Sequence, residues 1–158
     1  MSDNAYADYI HLRYQGEVLG EAAFGAMAAQ REDVGERAKL TTLAQLERET
    51  KEALRPEVDA LQLSTEGDAK KAEEGRALAQ QLGNASWADV LRGLCSEIER
   101  LIPEFEAAER LAPPGKEALL RHVTAHERAL LDFAQAELAG DAGGDSLRSV
   151  SALLRANA

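Results

Sequence analysis

Residues 86–115 read SWADVLRGLCSEIERLIPEFEAAERLAPPG. Trp87, Leu91, Leu94, Ile98, Leu101, Phe105 and Ala108 recur in alternating steps of four and three, which places them on one face of an α-helix. Ser86 with Asp89 three residues on has the form of a capping box and marks the start. Pro113-Pro114-Gly115 marks the end, since proline brings no backbone donor to continue the helix. Pro103 falls inside and is expected to free a carbonyl one turn back and kink the axis. A helix over 86–112 therefore ends in a tight turn. The next, over 116–139, has Leu119, Val123, Leu130 and Phe133 inward and Gly140 as its C-terminal cap, and must run antiparallel to it.

The same step organises the first half. Tyr6, Ile10, Tyr14, Phe24 and Ala28 predict a helix over 4–31, and Leu40, Leu43, Leu54 and Leu61 predict a second over 36–63, with a brief break at Arg31-Glu32-Asp33-Val34-Gly35. Pro56 is expected to bend the second helix or end it early. Residues 64–85 read as a polar crossover with a weaker helical piece marked by Ala72, Leu78, Ala79 and Leu82. After a flexible Asp141-Ala142-Gly143-Gly144, a short amphipathic helix over 145–156 carries Leu147, Val150 and Leu154. Two short connections separated by one long one predict an all-α, antiparallel four-helix bundle, with a single domain over 1–158 and the second and third helices parallel.

Composition narrows the function classes. Apolar residues make up 45% and aromatics only 4%, so the apolar part is mostly Ala and Leu, the residues least penalised in a helix. No stretch alternates β-branched and polar residues, and no strand is expected. A formal charge of -10, with Lys and Arg dispersed along the chain, argues against nucleic acid. No apolar run approaches the ~20 residues of a membrane span, and Met1-Ser2-Asp3-Asn4 lacks signal-peptide character, so a cytoplasmic protein is expected. Cys95 is the one cysteine, which excludes an internal disulfide; beside Leu94 and Ile98 it reads as a buried, inert thiol. Glycine-rich phosphate loops, nucleophile elbows and Cys-His pairs are absent, so any chemistry would be metal chemistry.

Carboxylates interrupt the apolar stripes. Tyr14, Glu17, Glu21 and Phe24 continue one face of the first helix, and Leu40, Leu43, Glu47, Thr50 and Leu54 form one face of the second. Glu21 and Glu47 stand equally far from the turn near residue 34 and are expected at one level. Glu97 continues a face with Val90, Leu94 and Leu101, and Glu127 one with Leu120, Val123 and Leu130, about one helical turn out of register with each other. A buried carboxylate requires a metal, a cation or a hydrogen-bond network. His122 and His126, four residues apart, share a face and can chelate a metal, with Glu17 as an added oxygen. Structural alternatives are Arg13, Arg48 or Arg128 pairing with Glu21 and Glu47, solvation of Glu97 and Glu127, and a core role for His126 with Asp132 or Glu104 accepting its proton. Tyr6, Tyr9 and Tyr14 read as packing residues, or as an electron path beside a metal.

Tyr14-Gln15-Gly16-Glu17-Val18-Leu19-Gly20-Glu21, Leu46-Glu47-Arg48-Glu49-Thr50 and His126-Glu127-Arg128-Ala129-Leu130-Leu131-Asp132-Phe133 resemble the ferritin-like superfamily, its rubrerythrin-related members above all. The resemblance covers the four main helices. It implies a ferritin-like bundle and Glu21, Glu47, Glu97 and Glu127 as carboxylate ligands, with His126 available and Glu17 and His122 as further donors. Thr50 and Leu130 stand where that family places histidines, so the di-iron ligand set is incomplete. The expectation is an iron- or oxidative-stress-related protein with a degenerate carboxylate-rich site, holding one or two irons or none, and forming a homodimer. The alternatives are a metal-free interaction or scaffolding module and a di-iron oxidoreductase.

Overall fold

The computed structural model describes residues 1–140 and 144–155. These are all-α, with six helices and no strand among them: α1 Asp3–Gln30, α2 Val34–Ala60, α3 Asp68–Gln81, α4 Trp87–Arg110, α5 Glu117–Ala139 and α6 Arg148–Leu153. They fall into two compact units, Met1–Asn84 and Ala85–Ala158. The flexible connection expected after Gly140 lies, except for Gly144, outside the described residues, as does the last residue of the expected terminal helix.

In the first unit, side chains set the helix starts. Ser2 Oγ accepts from the Ala5 amide at 3.2 Å and Asp33 Oδ1 from the Glu36 amide at 2.8 Å, each satisfying a donor that the first turn leaves without an intrahelical partner. Arg37 Nη2 closes the α1–α2 turn by donating to the Arg31 carbonyl at 2.9 Å. Cross-helix contacts fix the directions. Gly20 lies against Glu47 and Tyr14 meets Arg55, so α2 runs antiparallel to α1. Tyr14 also meets Asp68, while Gly75 lies against Leu19, Ala22 and Ala23, so α3 runs parallel to α1.

Helix α1 thus packs against both α2 and α3. That explains why its buried residues (Tyr6, Ile10, Arg13, Tyr14, Glu17, Val18, Ala23, Phe24, Met27, Ala28) spread round its circumference. On α2 they keep to one stripe, Leu40, Leu43, Leu46, Glu47, Thr50, Leu54 and Val58. Pro56 does not end α2 early. Leu54 and Val58, both fully buried, hold the helix on either side of it, and it continues to Ala60. It ends in a Schellman turn: Leu63 N donates to Val58 O at 2.9 Å and Gln62 N to Asp59 O at 3.1 Å, with Gln62 left-handed at φ 54°. The segment over 64–85, expected as a crossover with a weaker helical piece, contains a 14-residue helix, α3, whose buried residues are Gly75 and Ala79.

In the second unit, Ser86 Oγ accepts from the Asp89 amide at 3.1 Å, while the Asp89 carboxylate pairs with Arg92. Helix α4 runs through Pro103 to Arg110 and buries Val90, Leu91, Ile98, Phe105 and Ala108. Its antiparallel partner α5 is joined to it at one end by Trp87, which donates to Glu137 at 3.1 Å and meets Phe133 edge-on at 6.4 Å. Nearer the other end Arg128 pairs with Glu106. Gly140 caps α5 in the left-handed conformation, φ 61°. Helix α6 packs on α5 through buried Val150, with Ser149 donating to Asp132 at 3.0 Å.

Candidate metal site

Glu17 on α1 and Glu47 on α2 are 3% and 4% exposed, and a carboxylate oxygen of one lies within 4.8 Å of an oxygen of the other. Each follows from its helical phase: Glu17 lies seven residues before Phe24, and Glu47 seven before Leu54, both apolar side chains at buried positions. The Glu47 carboxylate comes against the α1 backbone at Gly20, where an added Cβ would stand 2.7 Å from Oε2 and 2.8 Å from Cδ. Two buried carboxylates at this separation repel unless a cation, a proton or hydrogen-bond donors are shared between them. Chemically the pair offers hard oxygen donors, the set suited to Fe²⁺, Mn²⁺, Mg²⁺ or Ca²⁺ more than to thiophilic metals.

The structure directs Glu21 elsewhere: it is half-buried and ion-paired with Lys51 of α2. Counting from the turn fixed the height well, since Glu47 lies against Gly20, one residue away. It could not choose between Glu17 and Glu21, which stand four residues apart and so differ by only about 40° in azimuth and one turn in height: the structure pairs Glu21 with Lys51 and brings Glu17, one turn back, to Glu47. Glu97 stands on the solvated side of α4, its side chain 58% exposed and bonded to Arg100, whose guanidinium holds its carboxyl below the usual range. That is a surface i,i+3 pair and not an inward-facing ligand position.

On α5, His126 is 1% exposed, and its Nδ1 lies 3.8 Å from Glu127 Oε1, an oxygen of a largely buried carboxylate. Asp132, expected as an acceptor for His126, accepts from the Ser149 hydroxyl at 3.0 Å. Burial, and then the neighbouring His126, push the His122 imidazole below its ordinary pKa. Thr50 donates its hydroxyl to the Leu46 carbonyl at 2.9 Å, and Leu130 is plain core, so neither position replaces a histidine. Of the arginines expected to reach the acids, Arg48 is exposed, Arg128 pairs with Glu106, and Arg13 is buried with its guanidinium 5.5 Å from the Tyr9 ring centroid.

Cys95 is half-buried, and burial together with Glu99 pushes its thiol up, away from the reactive thiolate form. Sequence reasoning missed Gly20. The available signal was a glycine in a helix interior, where alanine is favoured by about 1 kcal/mol, three residues after an inward-facing Glu17. No helix among the described residues is long and apolar enough to cross a membrane. Compared with known proteins, the chain matches no family model, no curated protein and no solved structure.

Proposed function

We propose that the chain binds a divalent metal ion, iron in the ferritin-like reading, on the carboxylates of Glu17 and Glu47. The observation that carries the proposal is their common burial with oxygens within 4.8 Å. Burying two like charges together is costly, and a shared cation turns that repulsion into attraction. The ferritin-like reading draws further support from the helix hairpins α1/α2 and α4/α5, and from the sequence around Glu17, Glu47 and His126. With Thr50 and Leu130 at the family's histidine positions, the site is a remodelled, carboxylate-rich one and not a full di-iron centre. When bound, the metal would supply Lewis acidity; Glu17 and Glu47 supply its negative oxygen ligands from two helices of one unit.

The test is metal content, measured by mass spectrometry on tag-free protein after anaerobic Fe²⁺ loading and desalting. Retention near one iron per chain is expected, together with a rise in melting temperature that follows Fe²⁺ concentration by mass action. Glu17→Ala and Glu47→Ala should each abolish retention, whereas Glu97→Ala should leave it unchanged. A folded wild-type chain that retains no metal sinks the proposal and leaves a metal-free interaction module as the better account.

A further inference from the structure

We propose that Gly20 is a positioning residue for the Glu47 carboxylate: the missing side chain on α1 creates the niche in which that carboxylate lies. For its functional meaning the inference rests on the metal reading above, but its geometry stands alone. A Cβ at Gly20 would come 2.7 Å from Glu47 Oε2, 2.8 Å from Cδ and 3.3 Å from Cγ, and these three side-chain atoms of Glu47 are its nearest neighbours. The contrast with Gly75 is instructive, because there an added Cβ would meet the Leu19 carbonyl oxygen and the Ala23 amide nitrogen, which are backbone atoms. A methyl at Gly75 must push helices apart; at Gly20 it needs only to turn one carboxylate arm aside.

Two other glycines of α1, Gly16 and Gly25, face open space with nothing within 4 Å of an added Cβ. Alanine at either should only improve helix propensity. Glycine at position 20 therefore has a role those two lack, which is to let Glu47 reach the α1 backbone and bring its oxygen close to that of Glu17.

The experiment compares Gly20→Ala, Gly16→Ala and Gly25→Ala in the full chain. Anaerobic Fe²⁺ affinity should weaken on the order of tenfold in Gly20→Ala, as happens when a residue that orients a ligand is lost, and stay at the wild-type value in the other two. A second measurement needs no metal. In chelator-treated protein, the melting shift caused by Gly20→Ala should differ between the Glu47 chain and a Glu47→Ala background, where the methyl has room and only helix propensity remains. Wild-type Fe²⁺ affinity in Gly20→Ala, or the same melting shift in both backgrounds, overturns the proposal. Should the wild-type chain retain no Fe²⁺, the metal reading falls, and the melting cycle alone decides whether Gly20 positions Glu47.

Discussion

Tyr14 joins three helices through one phenolic oxygen. It donates to Asp68 Oδ2 of α3 at 3.1 Å and accepts from Arg55 Nη1 of α2 at 3.3 Å. Burial first, and then the bond to Asp68, raise its pKa; burial and the Glu57 carboxylate raise that of Tyr6. Raised tyrosine values stabilise the fold below the unfolded-state value of about 10. Above it, the unfolded chain releases these protons first, and stability falls as pH rises. The urea midpoint should therefore drop between pH 9 and 11, less steeply in Tyr6→Phe. At neutral pH, Tyr14→Phe should cost roughly 0.5–1.5 kcal/mol, the net value of an intramolecular hydrogen bond. A flat alkaline profile would contradict the role assigned to these phenols. At this scale the sequence was partly legible. The inward carboxylate at Glu47 could be read from its stripe, because Leu43, Thr50 and Leu54 flank it with an unambiguous step. Choosing between Glu17 and Glu21, which share a face one turn apart, required knowing where along α1 the Lys51 ammonium and the Glu47 carboxylate fall, which no periodicity records.

Among the elements, α3 shows how a helix can escape a hydrophobic reading. It approaches α1 through the smallest residues, with Gly75 against the α1 backbone and Ala79 fully buried, so the contact is close without large apolar side chains. Patterns of Leu and Phe identified α2 and α4 readily and undervalued α3 for the same reason. Gly75→Ala places a Cβ 2.3 Å from the Leu19 carbonyl oxygen. It should destabilise by roughly 1–3 kcal/mol despite alanine's better helix propensity, the cost of overpacking a close contact. Urea denaturation would show this as a lower midpoint at unchanged slope, and an unchanged midpoint would mean that α3 is not held where the structure has it. The prolines teach a related lesson. Pro56 reads as a bend or an early end and Pro103 as a kink within its helix; both helices continue past them, with buried neighbours such as Val58 and Phe105 holding the next turn in place.

For the whole molecule, charge is the quantity that sequence fixes most directly. Acidic residues number 28 against 18 Lys and Arg, and some of the cations are engaged in i,i+3 pairs such as Arg76–Glu73, Arg92–Asp89 and Arg100–Glu97. Exposed pairs of this kind contribute about 0–1 kcal/mol each, whereas the excess of negative charge repels over the full Debye length, about 30 Å at 0.01 M salt and about 8 Å at 0.15 M. Repulsion should dominate, so the melting temperature should rise as NaCl is raised from low to physiological concentration. A fall would show that the local pairs dominate. The all-α class was legible from Ala and Leu content and from the absence of alternating stretches. The division into units before and after Asn84 was not, since it reflects which helices touch and not what any one of them contains.

The position of α1 between α2 and α3 also sets an order of opening within its unit. If α2 detaches, α1 still lies against α3, and if α3 detaches it still lies against α2. Fraying of either neighbour alone therefore leaves α1 with one covered face. Its central amide hydrogens should exchange with deuterium last, and only when the whole unit opens.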